Sequence, residues 1–345
     1  MKKWDELTHV FTATYTADVS GVCSVMYELG GMTVLHDPSG CNSTYTTHDE
    51  PRWYDTDSLM FVSGLDELTA VMGDDTVLIR DVAQACEDLK PRFVTLCGAS
   101  IPHVIAFDYP GVARLIERET GIPVLPVATD GLQSYVSGVG LALQAFLTRF
   151  ADPSDYLLGV TPLDFSIGEN VRSLRGALED AGYTVNCCAA MGETFEGLCG
   201  AYRAGINLVV SSAGRQAAAH MRRACGMPWL EGLPIGETQT ERVLRELEAH
   251  LTTGECGQAL DGPAPDGIPE MAAGQQGILV IGEEIFARSL CGAIRALPEA
   301  DRAGLTPWAL WPTVHNGLSE DLLRKAIRVS RAVIADPLYR AVPEA

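Results

Sequence analysis

Ten cysteines are spread along the 345 residues, and three of them stand where a thiol could bind a metal. Cys97 closes the apolar run Arg92-Phe-Val-Thr-Leu-Cys97 and is followed by Gly98-Ala-Ser100. Cys41 follows Thr33-Val-Leu-His36-Asp37-Pro38-Ser39-Gly40, an apolar run that breaks on a Pro/Gly turn. Cys23, in Ser20-Gly21-Val22-Cys23, reads as part of a loop ahead of the apolar Val25–Leu29. All three are expected at the ends of elements, outside strand and helix interiors. Iron–sulfur clusters are held by thiolates, four to a cubane. Glycine beside a ligand also lets backbone N–H groups approach the sulfurs. The 23/41/97 spacing is no local motif such as Cys-x-x-Cys, and on spacing alone three scattered core residues are the simpler reading.

The elements that must position these thiols are strands and helices in alternation. Apolar runs at Met32–His36, Val77–Ile79, Arg92–Leu96, Pro123–Val127, Tyr156–Val160, Tyr183–Cys187, Asn207–Ser211, Gly277–Ile281 and Ala332–Ala335 predict strands. Between them, Gly111–Thr120, Ser134–Phe150, Gly168–Ala181, Arg215–Cys225, Thr238–Leu251 and Glu284–Leu297 predict helices. That order implies an α/β fold with parallel sheets covered on both faces. Three blocks are expected: residues 1–151 with the three cysteines, 152–253, and 254–345, the last opening on the Gly/Pro/Asp-rich stretch Gly254 to Gly277. In such sheets ligands bind outside the carboxyl ends of the strands, where Cys97 is expected.

The residues flanking the cysteines add a resemblance. Gly21-Val-Cys23, then His36-Asp-Pro-Ser-Gly-Cys41, then Thr95-Leu-Cys97-Gly-Ala-Ser100 resemble the start of nitrogenase component 1-type oxidoreductases, whose pattern is an early Cys, a strand with His-x-Pro-x-Gly-Cys, and a strand ending in Thr-x-Cys. Phe61-Val-Ser-Gly64, His220-Met221 with Gly226-Met-Pro-Trp229, Ile281-Gly282-Glu283 and Ala335-Asp336-Pro337-Leu338-Tyr339 extend the resemblance along the chain. The family includes the nitrogenase molybdenum–iron protein subunits, cofactor scaffold proteins and dark-operative protochlorophyllide reductases.

The resemblance implies three Rossmann-like domains around a central cleft, and oxidoreductase activity. It implies a 4Fe–4S cluster or a P-cluster-like 8Fe–7S centre on Cys23, Cys41 and Cys97. It also implies a P-loop ATPase iron protein as electron donor, and a homodimer or a heterodimer with a related subunit. Where nitrogenase carries a cofactor cysteine ahead of the His-Met pair this chain has Ala218, so dinitrogen chemistry is not implied. A cluster scaffold or carrier without turnover, and a metal-free small-molecule-binding protein, remain open.

The net charge of −20, from 45 acidic and 25 basic residues, would repel a nucleic acid or an anionic membrane. Met1-Lys2-Lys3-Trp4-Asp5-Glu6 has no apolar leader core, and no run approaches the about 20 apolar residues of a membrane span, so a cytoplasmic location is expected. That compartment keeps thiols reduced, so disulfides are not expected. No Gly-x-x-x-x-Gly-Lys-Ser/Thr loop occurs, so ATP hydrolysis is not expected of this chain. His103, Glu283, the vicinal Cys187-Cys188 and the tryptophans read first as structural residues.

Overall fold

The computed structural model describes residues 17–38, 59–153, 169–189, 192–262, 268–269, 276–311, 320–337 and 339–340. In the first third, helix α1 (Asp18–Met26) precedes β1 (Met32–His36) and β2 (Leu59–Val62). Helices α2 (Glu67–Met72) and α3 (Thr76–Leu89) lead to β3 (Val94–Gly98). Then come α4 (Ser100–Val104), α5 (Tyr109–Thr120), β4 (Val124–Pro126) and the long α6 (Tyr135–Phe150). The strands form one sheet in the order β2-β1-β3-β4, every pair parallel, with Met32 beside both Leu59 and Val94.

β1 and β3 are buried at every position, as expected of central strands covered on both faces. Alternation sends Val94 and Leu96 toward α3 and α5, and Phe93 and Cys97 toward α1 and α6. α3 and α5 each bury one stripe on their side, Leu78/Val82/Cys86 and Val112/Ala113/Ile116. On the other side α1 lies against α6 with almost no space between. A Cβ on Gly138 would run into the Asp18 backbone, and one on Gly21 would strike the Tyr135 carbonyl.

The middle third holds α7 (Glu169–Asp180), α8 (Phe195–Cys199), β5 (Asn207–Val209), α9 (Arg215–Cys225), β6 (Trp229–Glu231), α10 (Gly236–Thr253) and β7 (Gly257–Gln258), with a parallel sheet β5-β6-β7. The last third holds β8 (Gln276–Ile281), α11 (Glu284–Arg295), α12 (Pro298–Arg302), β9 (Leu305–Leu310), α13 (Glu320–Val329) and β10 (Ala332–Ile334), with a parallel sheet β10-β8-β9. The chain is thus an α/β protein, with three parallel sheets among the described residues. First and second sheets are joined by α6 on α9 and by a cluster of Phe93, Phe146, Phe150 and Phe195, with ring centroids 5.1–5.9 Å apart.

Two expected strands are not strands. Val77–Ile79 is the first turn of α3, because Leu78 continues the i, i+4, i+8 stripe with Val82 and Cys86. Tyr183–Cys187 runs as irregular chain; the Val185 carbonyl accepts from Arg175 Nη1 (3.1 Å), a side chain standing in for a neighbouring strand. The expected strand Tyr156–Val160 lies outside the described residues. β2, β6, β7 and β9 are additional strands that the sequence pattern did not mark.

Candidate functional site

All four strands of the first sheet point their carboxyl ends the same way, and the residues just past those ends are linked to one another. After β1, His36 Nδ1 meets Ser63 Oγ at 2.9 Å, and the Asp37 N–H donates to the same hydroxyl at 3.2 Å; Ser63 follows β2. After β3, the Gly98 N–H donates to Thr129 Oγ1 at 3.1 Å, and that hydroxyl donates back to the Gly98 carbonyl at 2.5 Å; Thr129 follows β4. His36 is buried against the Phe107 ring, 4.3 Å between centroids. Burial lowers its pKa to about 4, so it is neutral at pH 7.

α1 lies over this edge and packs on both β1 and β3. Its first residue, Asp18, is fully buried, and its carboxylate accepts from the backbone N–H groups of Val19 (2.9 Å), Asp130 (3.0 Å) and Gly131 (2.9 Å). Burial still pushes its pKa up, with Asp130 adding to the effect, against those hydrogen bonds. Cys23 lies in the interior of α1, which corrects the loop expected there. The sequence misled because Ser20-Gly21 and Ser24 read as helix-poor; the helix forms because Gly21 permits its close seat on α6.

Cys97 is the penultimate residue of β3, at the carboxyl end where the pattern put it. Its side chain shares one core cluster with Cys23. Burial raises the Cys97 thiol far above the ordinary thiol range, and the charges of Cys23 and Asp18 push it further. Cys41 lies outside the described residues. The structure therefore brings two of the three expected ligands together. Among the described residues no group of three or more His, Cys, Asp or Glu side chains forms a metal site.

The chemistry of this edge fits an iron–sulfur group. His36 is neutral at pH 7, the carboxyl and thiol groups beside it are anionic when ionised, and the charges acting on Cys97 are both negative. Such thiols stay protonated until a cation arrives; a bound metal deprotonates its thiol ligands and supplies the missing positive charge. The wall also holds unused polar atoms. Tyr109 Oη and Thr95 Oγ1 are buried without a hydrogen-bond partner, an arrangement that costs about 1–3 kcal/mol per group in a closed interior. Asp18, Tyr109 and Thr129 were not marked by the sequence; none sits in a motif, and Asp18 reaches Asp130 across 112 residues, whereas Ser63 lies in the Phe61-Val-Ser-Gly64 stretch of the resemblance.

A second polar cluster joins the second and third sheets. Arg215 donates to Glu231 through Nε and Nη2 (both 2.8 Å) and to Glu284 through Nη1 (2.7 Å). Arg288 Nη1 donates to the other Glu284 oxygen at 3.1 Å, and Gln258 Nε2 to Glu231 at 2.9 Å. Burial would raise the Glu284 carboxyl, but the hydrogen bonds and charges of Arg215 and Arg288 win and lower it. Glu283 caps α11 through the Phe286 N–H (2.9 Å) and accepts the Ser212 N–H from the second sheet's loop (2.9 Å). Its helix N-terminal placement is thus the structural one. His103 is exposed on α4, and Cys187 and Cys188 are buried.

Comparison with known proteins bears on this geometry. The family model for nitrogenase component 1 type oxidoreductases matches residues 22–277, about three quarters of the chain, a span that includes Cys23, Cys41 and Cys97. One of the subunits of the light-independent protochlorophyllide reductase from Prosthecochloris aestuarii is 26% identical over 234 residues, covering 64% of this chain and 42% of the relative. The corresponding subunit from Chlorobium phaeobacteroides is 36% identical over 135 residues, 35% of this chain and 25% of the relative. The nitrogenase molybdenum–iron protein alpha chain of Methanosarcina barkeri is 24% identical over 190 residues, 52% of this chain and 36% of the relative. The chain spans less than half the length of these curated relatives. A structure described as nitrogenase Cp1 at pH 5 superposes with a TM-score of 0.61 at 19% identity, over 97% of this chain and 69% of that one, which shows the shared fold. Among the described residues no helix is long and apolar enough to cross a membrane.

Proposed function

Since the chain belongs to the nitrogenase component 1 type oxidoreductase family, we propose that it is the electron-accepting component of a nitrogenase-like reductase, acting in the cytoplasm on a small molecule. Cys23, Cys41 and Cys97 are its ligands for an iron–sulfur cluster, 4Fe–4S or P-cluster-like 8Fe–7S. The observation that carries this reading is the pairing of Cys23 with Cys97 at the carboxyl edge of the first sheet, in a buried site whose charges call for a cation. A bound cluster would supply one-electron storage there.

The chain's own residues do the rest. β3 fixes Cys97, and the tight α1–α6 contact fixes Cys23. Neutral His36 and the Ser63 and Thr129 hydroxyls tie neighbouring strand ends together and keep the edge rigid. Three cysteines leave a cubane one ligand short, which a partner protein or another side chain would complete. α2 buries no residue and exposes Leu68, Val71 and Met72; α4, directly after Cys97, exposes Ile101 and Val104. Both helices start from strand ends at the same edge, so this apolar surface suits a homodimer or heterodimer contact beside the ligands. Electrons come from a separate P-loop ATPase iron protein.

The test is anaerobic reconstitution with ferrous iron and sulfide, followed by iron and sulfide analysis and EPR. Wild-type protein is expected to take up both and give a cluster signal. Cys97→Ala, a small buried side chain in place of another, is expected to keep the fold by circular dichroism and lose the iron. Wild-type protein without iron, or Cys97→Ala with full iron, would overturn the reading.

A further inference from the structure

Tyr109, the first residue of α5, reaches the carboxyl edge from the layer opposite α1. Its ring is buried, 4% exposed, and meets Phe107 edge-on at 4.7 Å. Packing alone would be served as well by phenylalanine, yet the residue carries a hydroxyl, and that hydroxyl has no hydrogen-bond partner. Buried phenols in folded proteins nearly always have one.

Where the hydroxyl lies is set by Gly98. By the strand's alternation Cys97 faces α1, while position 98 faces α5. A side chain at 98 would collide with Tyr109 Oη and with the His36 carbonyl, so the hydroxyl occupies the space a Cβ would take, one residue past the ligand thiol. Burial raises the phenol's pKa, and the charges of Cys97, Asp37 and Asp18 raise it further, so the group stays a proton donor. A buried donor without a partner thus lies beside Gly98, the residue that follows Cys97.

We propose that Tyr109 is a positioning residue whose hydroxyl donates a hydrogen bond to the cluster bound at Cys97. The inference rests on the reading of that edge as a cluster site. No bond forms or breaks. The O–H stabilises negative charge on sulfur, and reduction adds negative charge, so the hydrogen bond favours the reduced state and raises the midpoint potential.

Tyr109→Phe tests this, because it keeps the ring on Phe107 and removes only the unpaired hydroxyl. Reconstituted wild type and variant are compared by EPR-monitored redox titration, and by proton ENDOR in H2O and D2O. The variant is expected to bind the same iron and to show an about tenfold lower ratio of reduced to oxidised cluster at fixed potential, the equivalent of about 1.4 kcal/mol. One exchangeable proton coupling present in wild type is expected to vanish. Identical titrations and identical ENDOR spectra would overturn the proposal while leaving the cluster site standing. Wild type that takes up no iron would overturn both. The ENDOR of wild type decides independently of the variant's folding: no exchangeable proton coupled to the cluster also overturns the proposal.

Discussion

Among the described residues, two buried polar clusters are built on opposite principles. At the junction of the second and third sheets Glu231 and Glu284 each have a cation: Arg215 grips Glu231 with two nitrogens and Glu284 with a third, and Arg288 holds the other Glu284 oxygen. At the carboxyl edge of the first sheet the anions face one another. Asp18 and the Cys97 thiol are both pushed toward their neutral forms, and two donors, Tyr109 Oη and Thr95 Oγ1, are unused. A cluster that closes its own charge balance holds elements together. A buried cluster that leaves it open is complete only with something added, and buried groups with displaced pKa values concentrate at functional sites for that reason.

The contrast breaks most sharply if the edge can be disturbed without losing iron. Gly138→Ala puts a methyl group against the Asp18 backbone, where neither helix can yield without moving α1. Overpacking of this kind is expected to cost about 3 kcal/mol, and it shifts the helix that carries Cys23. The expected outcome is a lower midpoint in urea unfolding and reduced iron after reconstitution. Full iron in a destabilised variant would mean that Cys23 is not held for ligation.

Arg215→Leu does the reverse and strands Glu231 and Glu284 without their shared cation. Removing one partner from a buried pair costs about 3–5 kcal/mol. Arg215 is 35% exposed on its side chain, so solvent screening reduces the expected loss to about 2 kcal/mol. The same urea titration reads it. Iron uptake is expected to match wild type, because the junction has no part in ligation. An iron loss equal to that of Gly138→Ala would erase the distinction between the clusters.

What the sequence showed and hid follows the same division between local and distant contacts. β1 at Met32–His36 and α9 at Arg215–Cys225 were legible to the residue, since an apolar run ended by Asp-Pro and an amphipathic helix ended by Gly226 are local signals. So was Cys97 at its strand end, marked by the following glycine. Cys23 was misplaced, because α1 owes its helix to contact with α6 across more than 100 residues, and its own Ser and Gly argue against one. Tyr109, Asp18 and Thr129 were invisible for a related reason. Each reaches the edge from a different loop or helix, and nothing in its neighbours announces the meeting. Cys41 is legible only through the residues around it, His36-Asp37-Pro38-Ser39-Gly40.

The smallest expected effect is a pair of titration midpoints displaced in opposite directions. Asp18 has its native pKa above the ordinary 3.8, with burial as the main cause. Between those two values the native state binds more protons than the unfolded chain, so Asp18's contribution to stability is complete below 3.8 and is lost as pH rises through the native value. Glu284 has its native pKa below the ordinary 4.5, because Arg215 and Arg288 outweigh burial. Its contribution is present above 4.5 and is lost as pH falls through the native value. Carbon-13 NMR of the side-chain carboxyls in iron-free protein should place the Asp18 midpoint above its unfolded value and the Glu284 midpoint below. Arg215→Leu should move Glu284 upward and leave Asp18 where it was. Two midpoints both displaced downward would show that the edge carries its own compensating charge, and would remove the electrostatic reason to expect a metal there.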